Sequence, residues 1–248
     1  MMIADKKRFG LGLFMLVTFF GVLVLLFVPI WNGGTENGLD EIDNLFNTVS
    51  KDSSNFNAEM EEKAKEEVGQ KTSFVTGPIR EADESNKDVR TAQALRIAEL
   101  FKKVEGTTVS VDGTKVKVEG DLGTIMEAVV ADSTLAFDNQ QGALQKKYDY
   151  PADDARADEH VMYDWYMGID NAQRDLTAKE QFEQSKTLVE LSERSIEPAY
   201  NYYGIESESP KTEWLPLLLA NIGYIIYTLW YGFALLFMFE GWGLKLEH

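Results

Sequence analysis

Apolar residues gather at the two ends of the chain, and charged residues fill the space between them. Phe9 to Trp31 runs without a charge, as does Trp214 to Phe239. At about 1.5 Å per residue each run can cross a hydrocarbon core of about 30 Å. These runs are therefore read as transmembrane helix 1, residues 9–31, and transmembrane helix 2, residues 214–239. Lys6, Lys7 and Arg8 would also suit the start of a cleaved signal. The first run is too long for a signal core, however, and no small-x-small site follows it, so an uncleaved anchor is expected. Trp31 and Trp214 fall at one expected interface and Trp242 near the other. Pro216 sits in the first turn of the second span, where a missing N–H costs little.

Between the spans the pattern is mostly helical. Leu39, Ile42, Phe46, Val49, Phe56, Met60, Ala64 and Val68 recur at helical spacing and predict one long helix over 39–68, weakened at Ser53 and Ser54. The stretch Thr72 to Asn86 contains Gly77-Pro78 and reads as a loop. A second helix is expected over 87–104, with Val89, Ala94, Ile97, Phe101 and Val104 on one side. Residues 107–118 alternate, turn at Asp112-Gly113 and alternate again, which predicts a hairpin pairing Val109 with Val116. Val109, Val111, Val116 and Val118 should be its buried face, and Lys115 and Lys117 its exposed one. Further helices are expected over 121–147, burying Leu122, Ile125, Val129 and Phe137, and over 153–175, carrying Val161, Trp165, Ile169 and Ala172. Thr177 with Glu180 reads as a capping box for a last helix over 178–203, ended or kinked at Pro198. The fold class is thus a mainly α membrane protein, with two transmembrane helices flanking an extracytoplasmic helical domain, residues 32–213, that holds one β-hairpin.

Charge sets the expected orientation. Lys6, Lys7 and Arg8 precede the first span, while residues 31–213 hold 20 basic and 38 acidic residues of a chain with net charge −17. The positive-inside rule places residues 1–8 and 240–248 in the cytoplasm of a cell membrane, an inner membrane if the cell is Gram-negative. The central domain is then periplasmic or extracellular. Leu246-Glu247-His248 resembles a tag remnant, which leaves His160 as the one native histidine. The absence of cysteine excludes disulfides, thiolate metal sites and a cysteine nucleophile. One histidine and no Gly-x-Ser-x-Gly motif leave most hydrolytic machinery without a base or nucleophile, so no enzyme and no catalytic residue is expected. The acidic middle region would repel nucleic acid.

Two constellations remain. Asp153, Asp154 and Asp158 cluster near His160 and could offer carboxylates to a divalent cation such as calcium, but the Asp-x-Asp-x-Asp-Gly loop is missing. Otherwise no cofactor is expected, and acidic residues at a helix start are the plainer reading. In the second span, Asn221, Tyr224, Thr228 and Tyr231 follow a 3, 4, 3 spacing and form a polar stripe. Such a stripe calls for protein or water rather than lipid. It could face the first span, form a seam in a homo-oligomer, or line a pore with Glu240 as a carboxylate ring at the inner mouth. Gly10, Gly12 and Gly21 permit close helix approach in the first span. The favoured expectation is a homo-oligomeric, ion-conducting or permeation assembly in the lipid bilayer. The alternative is a non-conducting accessory or sensory subunit whose outer domain binds a solute or a protein, such as a membrane-protein partner.

Overall fold

The computed structural model describes residues 3–78 and 87–244. It is mainly helical, with 67% of residues in helix and one small antiparallel sheet. Two compact units divide the chain: residues 1–53 with 207–248, and residues 54–206. The division falls inside the stretch read above as a single outer domain. The tag remnant expected at 246–248 lies outside the described residues.

The first unit contains α1 (Lys6–Leu26), a short 3-10 turn, α2 (Gly38–Ser53) and α10 (Trp214–Gly241). Both α1 and α10 are long and apolar enough to cross a membrane, and only 6% of each apolar window is buried. They are therefore unlike the core helices of a soluble protein. Asp5 caps α1 by accepting from the Lys7 and Arg8 amides at 2.9 and 3.1 Å. The helix stops at Leu26, short of the expected Trp31, because Pro29 cannot donate to Leu25 and disfavours helical geometry at Val28. Its 21 residues still reach about 30 Å.

The expected helix over 39–68 is two helices, α2 and α3 (Asn57–Glu66). Ser53 bonds back to the Val49 carbonyl at 3.0 Å, and Ser and Asn side chains here compete with the helical ladder. The order of the second unit is α3, β1 (Lys71–Thr76), α4 (Lys87–Lys102), β2 (Thr108–Asp112), β3 (Lys115–Asp121), α5 (Leu122–Phe137), α6 (Ala143–Lys147), α7 (Ala157–Ala178), α8 (Phe182–Leu191), a π turn over Ser192–Ile196 and α9 (Glu197–Asn201).

β1 corrects the loop expected over Thr72–Asn86, of which residues 79–86 lie outside the described residues. It pairs antiparallel with β3, giving the order β1-β3-β2. A lone hairpin is marginal in water, and the third strand removes that weakness. The hairpin register also differs from expectation. Its loop is Gly113-Thr114, so Val109 faces Val118 and Val111 faces Val116. Gly113, with φ +60, takes the first loop position, where a primed turn needs positive φ. A slip of two residues leaves every side chain on its expected face. Val116 and Val118 are fully buried and Lys115 and Lys117 exposed. Val109 is only half-buried, and Val111, expected to be buried, is 37% exposed at the tip of an edge strand.

The expected helix over 121–147 breaks after Phe137. Asn139 and Gly142 adopt left-handed backbone, with φ 54 and 72, which reverses the chain into α6. The Thr177 capping box does not form. Thr177 lies inside α7 and donates backwards to the Gln173 carbonyl at 2.9 Å, while Glu180 is left-handed. Before Pro198, whose ring nitrogen cannot donate to Arg194, the ladder widens into the π turn and then resumes as α9.

The core is built around Trp165. Its ring meets Phe101 edge-on at 5.0 Å, and Phe101 meets Phe74 of β1 at 5.6 Å. Ile97, Leu122, Ile125, Val129, Val161 and Ile169 complete it, as their spacing predicts. Val89, on the same expected stripe as Ile97, is instead 65% exposed.

Candidate functional site

The polar stripe lies on α10, so its surroundings follow from how α10 packs on α1. The two helices run antiparallel. A Cβ on Gly12 would stand 2.6 Å from the Ala234 carbonyl and the Met238 amide, and one on Gly241 would stand 2.5 Å from the Phe9 amide. Phe19 stacks on Tyr227 at 4.1 Å, and the Trp230 indole donates to the Met15 carbonyl at 3.1 Å. The packed face of α10 is thus Tyr227, Trp230, Ala234, Met238 and Gly241. At roughly 100° per residue, Asn221, Tyr224, Thr228 and Tyr231 lie about 60–140° round the helix from Ala234.

The stripe therefore does not face the first span. Tyr224 is 71% exposed, Asn221 and Thr228 are exposed, and only Tyr231 touches α1, tilted against Phe19 at 5.1 Å. Asn221 donates to the Leu217 carbonyl and Thr228 to the Tyr224 carbonyl, both at 2.8 Å. Among the described residues the Tyr224 and Tyr231 hydroxyls have no hydrogen-bond partner. On the other flank of the pair, Phe14, Ile226, Leu229 and Phe233 line an apolar groove of about 380 Å³. Glu240 is bound: Arg8 Nη1 donates to its carboxylate at 2.5 Å, beside an Asp5 amide that donates to the Gly241 carbonyl at 2.9 Å.

In the second unit the three aspartates expected near a cation have separate tasks. Asp153 is exposed. Asp154 bonds His160 Nδ1 at 2.7 Å, and this contact, with the Arg156 amide, holds its carboxyl below the ordinary value. Asp158 is buried and accepts from the Gly142 and Gln145 amides at 2.5 and 2.7 Å, which starts α6. It also accepts from Tyr203, whose hydroxyl burial and the Asp158 charge push up to about 12. Asp154, Asp158 and Tyr203 border an open polar cleft of about 370 Å³. Among the described residues no three His, Asp or Glu side chains converge as a metal would require.

Two further aspartates, not singled out from the sequence, do similar work. Asp132 is fully buried and accepts from Lys147 Nζ at 2.6 Å, Tyr148 at 2.5 Å and Trp165 Nε1 at 2.8 Å. Asp164 accepts from Gln93 at 3.0 Å, Arg96 Nε at 2.7 Å and Tyr150 at 2.6 Å. Burial, then the adjacent carboxylate, raises Tyr148 and Tyr150 far above the ordinary phenol range, so both remain donors. Asp132, Asp158 and Asp164 thereby fix the segment from Gly142 to Tyr150. Asp132 falls at helical spacing on the same stripe of α5 as Ile125 and Val129, and that was the available signal.

Two other carboxylates, Glu190 and Asp121, give the second unit an acid limit. The Lys63 ammonium holds Glu190 below its ordinary 4.5. At Asp121, burial pulls upward, but the Thr124 and Gly69 amides outweigh it and hold the carboxyl below 3.8. A depressed folded pKa gives stability that is present above the unfolded value and lost as pH falls through the folded one. Melting temperature should therefore be level near neutrality and fall below about pH 4.5. A melting temperature that rises on acidification would contradict this assignment.

No protein-family model, no curated protein and no solved structure matches the chain.

Proposed function

We propose that the chain is a two-span membrane protein that assembles through the polar face of α10 and presents residues 54–206 as an extracytoplasmic binding module, without conducting ions. The observation that carries this reading is the outward stripe. Two tyrosine hydroxyls without partners, beside Asn221 and Thr228, are unfavourable against hydrocarbon and are satisfied at a helix–helix seam. The small residues Ala220 and Gly232, which flank the stripe on α10, let a neighbouring backbone approach. Lys6, Lys7 and Arg8 favour cytoplasmic ends. Tight pairing of Glu240 with Arg8 disfavours a ring of unpaired carboxylates, and the cation-selective mouth that such a ring would make. The partner at the seam is a second copy, or else another membrane protein.

Conduction is the second reading. It is favoured by the same exposed hydroxyls, which could line a wet path in a ring of copies. Reconstitution in planar bilayers, together with the particle mass in detergent, separates the two. Asn221→Leu should reduce the oligomer at equal protein concentration, and the wild-type protein should pass no current. A steady current that Asn221→Leu or Glu240→Gln alters would replace the seam by a pore. A wild-type particle that is monomeric at all concentrations would remove both.

A further inference from the structure

The two edges of the sheet are treated differently. β1 presents the backbone groups of Lys71, Ser73 and Val75 outward, and side chains cover them. Val75 N–H donates to Asp175 at 2.8 Å, Lys179 Nζ donates to the Ser73 carbonyl at 3.0 Å, and Gln184 donates to the Lys71 carbonyl at 3.1 Å. That edge is closed to any further strand.

β2 has no such cover. Asp112 and Lys115 flank the two-residue loop, so they form a hydrogen-bonded pair, as do Ser110 with Lys117 and Thr108 with Glu119. Val109 and Val111 alternate with these and point their N–H and C=O groups away from β3. Among the described residues no hydrogen bond reaches those four groups. The strand Thr-Val-Ser-Val-Asp has no proline, no lysine and no bulge, the usual devices that keep an edge unpaired. Val111 is 37% exposed beside it.

We propose that β2 pairs antiparallel with β2 of a second copy, about a two-fold axis at Ser110, so that the sheets of two subunits join edge to edge. The strand fits its own reverse. With Ser110 opposite Ser110, the Val109 N–H donates to the second copy's Val111 carbonyl, and its Val111 N–H donates to the Val109 carbonyl. The symmetric pair repeats this, so all four outward groups of each strand are used. Val lies against Val on one face, adding to the buried side of the sheet. Asp112 lies opposite Thr108, so the pairing places no like charges together, which matters in a chain of net charge −17. Four backbone bonds are few for an isolated dimer. The pairing therefore rests on the proposed membrane assembly, which would hold the copies at high effective concentration.

The chain has no cysteine, which makes the test direct. Ser110 faces its copy in a non-hydrogen-bonded pair, where Cα atoms stand about 4.5 Å apart, within disulfide reach. Full-length Ser110→Cys, mildly oxidised in membranes, should give a crosslinked dimer as its main species. Thr108→Cys alone and Asp112→Cys alone should stay monomeric on the gel, whereas the two variants mixed should crosslink to each other. Val111→Pro in the Ser110→Cys background removes an outward N–H without touching the bonds to β3, and should abolish the crosslink at unchanged melting temperature. An oligomeric wild-type particle in which Ser110→Cys stays uncrosslinked overturns the strand pairing and leaves the α10 seam standing. Equal crosslinking of all three single variants shows random collision and also overturns the pairing. A monomeric wild-type particle removes the seam and the pairing together.

Discussion

Asp132→Leu should destabilise the second unit by about 3–5 kcal/mol, the range for removing one partner of a buried charge-paired network. Leucine fills the space but accepts nothing. The Tyr148 hydroxyl and the Trp165 indole N–H would then be buried without partners, and Lys147 would lose its counter-charge. For a unit of this size the loss corresponds to roughly 6–20 °C in melting temperature. Asp132→Asn keeps one carbonyl oxygen to accept and should lose distinctly less. Thermal unfolding followed in the near ultraviolet, where Trp165 reports, measures both variants. A Leu variant that melts with wild type would show that the network does not hold the Gly142–Tyr150 segment. Equal losses for Leu and Asn would assign the effect to charge rather than to accepted bonds.

The long periodic features of this fold were legible in the sequence, and the interruptions were not. Ile97, Trp165, Ile169 and Val129 are buried as their spacing predicts, because a helix repeats its buried face over many residues. β1 was missed because Lys-Thr-Ser-Phe-Val-Thr has a single large inward residue, Phe74, and gains its strand geometry from pairing with β3, from Lys71 with Asp121 to Thr76 with Val116. The break after Phe137 depends on Asn139 and Gly142 in left-handed backbone, and Asn gives only a weak local signal for that. The candidate site was legible in the same partial way. The 3, 4, 3 spacing puts Asn221, Tyr224, Thr228 and Tyr231 on one side of α10. Spacing within one helix cannot say which side meets α1, because that depends on where glycines let two backbones touch. Asp153, Asp154 and Asp158 illustrate the converse. Their closeness in sequence suggested a shared cation, but Asp158 turns inward to start α6 while Asp153 stays in solvent.

Gly12→Leu should separate the apolar helix pair, whereas Gly10→Leu and Gly21→Leu should leave it intact. The three glycines look equivalent in the sequence. In the fold, a side chain at Gly10 or Gly21 would meet nothing within 4 Å, whereas a Cβ at Gly12 would meet the Ala234 carbonyl and Met238 amide at 2.6 Å. Those are backbone atoms and cannot rotate away. Overpacking of this kind costs about 3 kcal/mol or more. In a bilayer no hydrophobic drive between helices offsets that cost, because lipid tails are as apolar as the side chains. The pair should then open at its basic end, breaking the Arg8–Glu240 contact and the bond from the Asp5 amide to the Gly241 carbonyl. Spin labels placed through cysteines at Lys7 and Leu244, both exposed, would report this as a longer and broader distance distribution. The same sample decides a point about assembly. If α10 carries the seam by its own polar face, the Gly12→Leu oligomer should survive with α1 displaced. Loss of the oligomer together with the helix pair would mean that α1 must brace α10 before the stripe of Asn221, Tyr224, Thr228 and Tyr231 can meet its partner. An unchanged label distance would show that the close approach at Gly12 does not hold the two helices together.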